Sequence, residues 1–179
     1  MANLVQRVAD MAFESFAQPQ MKDNLKGLEI FIADIKRCKS KKSEVKRVNR
    51  ELANIRTKFC TRKNLDSYQK KKYIAKLLFI YLLGYPIEFG HLEALNLITC
   101  SNFSGKSIGY MFLSVIFSPQ LDAEYVPLLI SALKNDISSD RKLEAILALR
   151  ACANTCFPEV IDSLFPDIYS ILKKTYSFN

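Results

Sequence analysis

The sequence predicts an all-α fold, and three observations predict it. Apolar residues recur every three or four positions over most of the chain, and few segments alternate apolar with polar. Only five Gly and six Pro occur in 179 residues, a balance that favours helices over sheets. The periodic runs are about 10–18 residues long and are separated by short, turn-rich segments. About half the residues are hydrophobic and 25 % are charged, enough apolar surface for one domain with a real core. The chain is too short for two comfortable domains.

Residues 3–17 place Leu4, Val5, Val8, Met11, Ala12 and Phe16 at helical spacing, which predicts an amphipathic helix. Pro19 and Asn24 punctuate the next segment. A second helix spans about Leu25 to Cys38, with Leu28, Phe31, Ile32 and Ile35 on one side. The third has the clearest seam. Val45, Val48, Leu52, Ile55 and Phe59 alternate spacings of three and four, with Lys46, Arg47, Arg50, Arg56 and Lys58 between them. After "CTRKNLDS", Asp66 or Ser67 can cap a fourth helix by accepting a hydrogen bond from a backbone N–H. That helix runs to Leu83 and stops at Gly84, ahead of Pro86.

Further helices fall at about 90–99, 104–117, 122–136, 140–154 and 158–175, punctuated by "CSNFSGK", "SPQLD", "DISSD" and "CFPEV". Pro158 suits the first turn of the last helix, Pro127 lies in or near the first turn of its own, and Pro166 is expected to kink the last. Short helices joined by short turns, without a strict repeat, fit an irregular right-handed superhelical α-solenoid of the HEAT or armadillo type. A compact helical bundle is the alternative. A solenoid needs capping, and the terminal "LKKTYSFN" supplies no obvious polar cap. Another subunit or further chain is expected to cover that end.

The formal net charge of +8 is unevenly placed. Residues 22–76 carry 18 of the 26 Lys and Arg and 6 of the 18 acids, a local +12, and the remainder sums to −4. Such a region implies an anionic partner: lipid headgroups, nucleic acid or an acidic peptide. Its bland counterpart is a solvated helix face. Cys38, Cys60, Cys100, Cys152 and Cys156, with the single histidine His91, form no zinc-ligand pattern. They read as reduced, mostly buried thiols of a cytosolic protein. No secretory signal is evident, since Arg7, Asp10 and Glu14 interrupt the only apolar candidate. The longest apolar run, Leu77 to Ile87, is well short of the ~20 residues that span a bilayer, so membrane contact is expected to be peripheral.

Enzymatic chemistry finds little support. There is one histidine, no Gly-rich phosphate loop and no suggestive carboxylate pair. The segment "GKSIG" at 105–109 resembles the tail of a phosphate loop, but Cys100 stands where its first glycine belongs. His91 reads as a packing or capping residue. No metal or cofactor is implied. The strongest chemical signal is "LDSYQKKKYIAKLL". Lys70, Lys71 and Lys72 open a helix, where the free N–H groups and the positive dipole end already disfavour cations. An anion at that place resolves the conflict. Tyr68, Lys72 and Lys76, spaced four apart, line one face and suit a multiply phosphorylated headgroup better than a single carboxylate. Lysines that snorkel over apolar surface are the competing reading.

"GLEIFIADIKRCKSKKSEVKRVNRELANIRTKF" and "LDSYQKKKYIAKLLFIYLLGYPIEFGHLEALNLI", with "KSIGYMFLSVIF" and "LISALKNDI", resemble the N-terminal trunk of the alpha-adaptins. These are the alpha large subunits of the plasma-membrane clathrin adaptor. The resemblance is close from about Lys26 to Ile137, weaker to about Lys174, and absent over residues 1–24, which read as a divergent, helical N-terminal extension ahead of a 25–179 trunk fragment. It implies a solenoid with an adaptor role in clathrin-mediated endocytosis and protein transport, at coated pits on the cytoplasmic face of the plasma membrane.

It also implies a pocket for phosphatidylinositol 4,5-bisphosphate at Lys26, Gly27, Lys58, Tyr68, Lys71, Lys72, Tyr73 and Lys76. Lys26 stands where the family usually has arginine, so the charge is kept and the planar fork is lost. Lys36, likewise usually arginine, falls where the family helps to hold acidic dileucine sorting signals. The implied partners are a small sigma-type subunit and the other large and medium adaptor subunits. Family members continue through a longer trunk, a hinge and an appendage. Two other functions compete: a basic solenoid that binds RNA or an acidic protein, and a truncated competitor for the sigma subunit. Phe31, Phe59 and Phe79 occupy apolar-seam positions rather than a base-stacking surface, so no nucleic acid is expected.

Overall fold

Each periodic run from Leu25 onward forms a helix. The computed structural model describes residues 25–61, 65–118, 123–155 and 157–176. It contains α1 (Lys26–Lys36), α2 (Lys41–Thr61), α3 (Ser67–Leu82), α4 (His91–Ile98) and α5 (Phe103–Ile116), then a 3-10 turn (Ala123–Tyr125), α6 (Val126–Ile137), α7 (Lys142–Thr155) and α8 (Pro158–Tyr176). No strand occurs among the described residues. The helix expected over 3–17, and the extension 1–24 that contains it, lie outside the described residues.

The chain divides into two compact units, Met1–Gly90 and His91–Asn179. Sequence length alone pointed to one core. In a helical stack each helix buries its stripe against near neighbours in the chain, so contacts stay local and one core need not collect every helix. In the first unit α1 packs on α2 and on α3, and α2 on α3. In the second, α4 packs on α5 and α6, α5 on α7, and α6 on α7 and α8. Contact with both the next helix and the next but one is the pattern of stacked helical hairpins, the solenoid arrangement expected from the sequence.

α3 is the spine of the first unit. Ile74, Ala75, Leu77, Leu78, Phe79 and Ile80 are all essentially inaccessible to water. Side chains apolar on every side of a helix must be covered on every side. Leu28, Phe31, Ile32 and Ile35 of α1, with Val48 and Ile55 of α2, supply much of that cover. Phe31 meets Phe79 edge to face at 6.0 Å. Burying one such ring stabilises the fold by about 1.5–3 kcal/mol.

The ends of α3 are set by single residues. The Asp66 carboxylate accepts the Gln69 N–H at 2.6 Å, the capping bond the sequence predicts. At the other end Gly84 adopts φ +90°, with Gly84 N–H donating to the Tyr81 carbonyl and Tyr85 N–H to the Ile80 carbonyl. That is the paired bond set of a Schellman stop. A Cβ at Gly84 would meet nothing within 4 Å, so the dihedral rather than space requires glycine.

Proline sets the start of two helices, one of them later than expected. The helix expected over 122–136 begins at Val126, after a 3-10 turn, because Pro127 lacks an N–H and fits only its first turn. α8 starts at Pro158 as expected and continues through Pro166 to Tyr176. It buries Val160 and Leu164 and leaves Ile161, Phe165, Tyr169 and Leu172 exposed. No helix among the described residues is long and apolar enough to cross a membrane.

Candidate anion-binding site and family comparison

The lysine cluster is built where α1 crosses α3. Gly27 makes the crossing close: a Cβ placed there would lie 2.9 Å from Cδ of Lys72, 3.6 Å from its Cγ and 3.8 Å from its Cε. The Lys72 stem therefore lies flat along the backbone of α1, in space that only glycine leaves. Its ammonium sits over the Tyr73 ring at 4.7 Å and near the Tyr68 ring at 5.8 Å. The Lys71 ammonium lies 5.9 Å from the centre of the same Tyr68 ring. Tyr73 is fixed in turn by an edge-to-face contact with Phe59 at 5.9 Å. Aromatic faces hold cations by their quadrupole, so the Tyr68 and Tyr73 rings gather two ammonium groups here.

The structure thus brings Gly27, Tyr68, Lys71, Lys72 and Tyr73 together, with Lys26 exposed beside Gly27, Lys58 half-buried next to Phe59, and Lys71, against expectation, buried. Lys36 is exposed at the far end of α1, ten residues and about 15 Å from Lys26. The structure corrects two expectations. α3 begins at Ser67, so Lys70, Lys71 and Lys72 occupy its second turn, and the Asp66 cap already offsets the dipole. Tyr68 and Lys72 do share a face, but Lys76 on the next turn is buried. Its ammonium lies 2.6 Å from Glu51 Oε1.

Glu51 was not singled out from the sequence. It anchors a network through all three helices: Arg47 donates to Glu51 at 2.8 Å and to Asp34 of α1 at 3.1 Å, while stacking over Phe31 at 4.7 Å. Burial pushes the Glu51 carboxyl up, but hydrogen bonds from Lys76 and Arg47 outweigh it and hold the group below the usual carboxylate range. The one readable signal was Arg47 and Glu51 at i, i+4.

"GKSIG" has a packing role in the second unit. A Cβ on Gly109 would meet Ile98 Cγ2 at 2.8 Å and the Ala94 carbonyl oxygen at 2.9 Å, and one on Gly105 would meet Cys100 Sγ at 3.2 Å. Gly109 lets α5 lie close against α4, while Gly105 faces side chains only. Lys106 between them is buried, 2.5 Å from Asp136 Oδ1 and 3.2 Å from Glu144 Oε2, and Tyr110 donates to Asp136 at 2.7 Å. Burial and the Asp136 carboxylate push the Tyr110 phenol well up. A polar cleft of about 480 Å³ adjoins this network, but Lys106, Asp136, Arg141 and Glu144 on its wall bond one another.

His91 is buried and stacks on Tyr125 at 6.4 Å, with edge contacts to Phe112 and Phe117, a packing role as the sequence predicts. The thiols are less buried than expected. Cys60 is exposed, Cys38 and Cys100 are half-buried in the turns after their helices, Cys152 is half-buried within α7, and Cys156 lies outside the described residues. Burial pushes the Cys152 thiol up to about 11.

Helical hairpins stacked next-but-one, carrying a basic first unit, define a helical-repeat scaffold. The chain belongs to the adaptin N-terminal region family, whose profile matches residues 44–178. It is 40 % identical over 151 residues to "AP-2 complex subunit alpha-2" of Dictyostelium discoideum, covering 84 % of this chain and 15 % of that protein. It is 41 % identical over 157 residues to "AP-2 complex subunit alpha" of Schizosaccharomyces pombe, covering 88 % and 17 %. To "AP-1 complex subunit gamma-1" of S. pombe the identity is 31 % over 160 residues, 89 % of this chain and 18 % of that protein. The similarity is thus stronger to the alpha than to the gamma type. The chain spans less than a fifth of the length of each of these relatives.

Proposed function

We propose that this chain is a non-enzymatic, alpha-type trunk segment of a clathrin adaptor, serving endocytosis and vesicle-mediated protein transport at the cytoplasmic face of the plasma membrane. Phosphatidylinositol 4,5-bisphosphate is the membrane ligand. Lys26, Lys58 and Lys72 supply charge at the surface, the buried Lys71 adds to the positive potential behind them, Gly27 supplies the space for Lys72, and Tyr68 and Tyr73 hold the ammonium groups in place. Lys76 supports the floor of the site through Glu51. The observation that carries this reading is the Lys72 stem laid along Gly27, which holds its ammonium beside the same Tyr68 ring that Lys71 approaches. A small sigma-type subunit packs against the trunk alongside the other large and medium subunits, and Lys36 attracts the acidic part of dileucine signals. As a lysine it cannot grip a carboxylate bidentately, so that contact is weaker than an arginine's.

The test is co-sedimentation near physiological salt with vesicles containing phosphatidylinositol 4,5-bisphosphate, against phosphatidylserine vesicles of matched surface charge. Each charge-assisted contact contributes about 1.5 kcal/mol or more, so Lys26→Ala with Lys72→Ala lowers inositide affinity on the order of 100-fold. Equal pelleting with both vesicle types, unchanged in the double variant, refutes the site.

A further inference from the structure

α2 separates its charges by face. Its two acids point inward: Glu44 lies 2.6 Å from the Lys41 ammonium and accepts the Tyr85 hydroxyl at 2.7 Å, and Glu51 holds Arg47 and Lys76. Lys42, Lys46 and Arg50 point outward, all exposed, and make no ion pair among the described residues. They stand four residues apart, so their side chains form one stripe with a step of about 6 Å along the helix. Like charges at this spacing destabilise a helix, and an exposed helix commonly alternates them with acids. Here the outward face carries Asn49, Ala53, Asn54 and Thr57 instead.

From this we infer that the outer face of α2 is a docking track for an acidic polypeptide segment, separate from the headgroup site. Its recognition elements are Lys42, Lys46 and Arg50. In an extended chain alternate side chains project to the same side about 6.6 Å apart, so Asp or Glu at every second position matches the 6 Å step of the stripe. Two observations favour a peptide over other polyanions. Lys58 lies twelve residues beyond Lys46, about 120° round the helix, so a flat bilayer that meets Lys58 does not also meet the stripe. No aromatic side chain is exposed on α2, and Phe59 is engaged with Tyr73 and Phe89, so unstacked bases have no platform.

The experiment is fluorescence anisotropy of the full chain near physiological salt, with a fluorescein-labelled peptide of alternating Glu and Gly. A second peptide carries the same glutamates in two blocks separated by a glycine linker. The alternating peptide binds more tightly, and Lys42→Gln, Lys46→Gln and Arg50→Gln together weaken it by about tenfold or more, as loss of three exposed charge contacts requires. Lys42→Arg with Lys46→Arg retains binding, and Lys26→Gln with Lys72→Gln leaves it within about twofold while removing inositide binding. Circular dichroism of the triple variant matches the parent, since all three side chains are exposed. Unchanged binding in the triple variant overturns the inference, as does equal affinity for both peptides. So does a requirement for the stripe only in binding phosphatidylserine vesicles or single-stranded RNA.

Discussion

Gly109→Ala and Gly105→Ala place the same methyl group on the same helix, four residues apart, and are expected to change stability in opposite directions. In a helix interior, alanine is favoured over glycine by up to about 1 kcal/mol. At Gly109 the new Cβ meets the Ala94 carbonyl at 2.9 Å, Ile98 Cγ2 at 2.8 Å and Leu97 Cβ at 3.1 Å. The carbonyl is backbone and cannot rotate away, so α5 must shift off α4. Overpacking of this kind costs about 1–3 kcal/mol, more than propensity returns. At Gly105 the nearest atoms are the Cys100 sulfur at 3.2 Å and Leu97 Cδ2 at 3.5 Å, both on side chains able to give by a few tenths of an ångström. Propensity then wins. The two variants should differ by about 2 kcal/mol, which for a unit of this size is roughly 10 °C in melting temperature. Urea and thermal unfolding followed by circular dichroism measure this. Equal stability of the two variants, or a Gly109→Ala protein more stable than the parent, refutes the claim that glycine sets the α4–α5 distance.

Gly27→Ala is expected to weaken inositide binding without loss of helicity, because the methyl group displaces the Lys72 stem; vesicle co-sedimentation beside a thermal melt separates the two effects. Asp136→Ala leaves buried Lys106 with only Glu144 and removes the Tyr110 acceptor, and should cost about 3–5 kcal/mol in urea unfolding. Asp136→Asn, which keeps an acceptor for Tyr110, should cost less. The Glu44 and Glu51 carboxyls titrate below their usual 4.5 in the folded chain. Their contribution to the first unit is therefore fully present above about pH 4.5 and is lost as pH falls through the depressed folded values. Urea midpoints at pH 6 and pH 3.5 should show the fall, with a shallower dependence in Glu51→Gln.

The helices were legible because their apolar spacing is sustained and their ends carry Asp66, Gly84, Pro127 and Pro158, residues whose backbone preferences act locally. The aromatic part of the candidate site was legible for a similar reason: Tyr68, Lys71, Lys72 and Tyr73 are neighbours along one helix. What escaped depends on contacts across helices. Nothing in the spacing of Lys76 distinguishes it from Lys72; only Glu51, 25 residues away, turns it inward. The glycines of "GKSIG" suggested a phosphate loop because a tight turn and a tight helix crossing both require a missing Cβ. Lys106 between them is explained by Asp136, 30 residues on. The division after Gly90 reflects how contacts partition between helices, which composition and length do not encode.

The buried ammonium groups also make the chain a reporter of its own motions. An amine is acylated only when it is deprotonated and in contact with the reagent. Lys42 and Lys46 should therefore modify at once, whereas Lys76, 9 % exposed, and Lys106, 5 % exposed, must wait for their surroundings to open. Lys76, with the likewise buried Lys71, lies in the first unit and Lys106 in the second. Peptide mass spectrometry of a single labelling time course thus yields two opening rates from one sample. Matching rates would mean that the stack breathes as a block, and unequal rates that one half opens while the other stays shut.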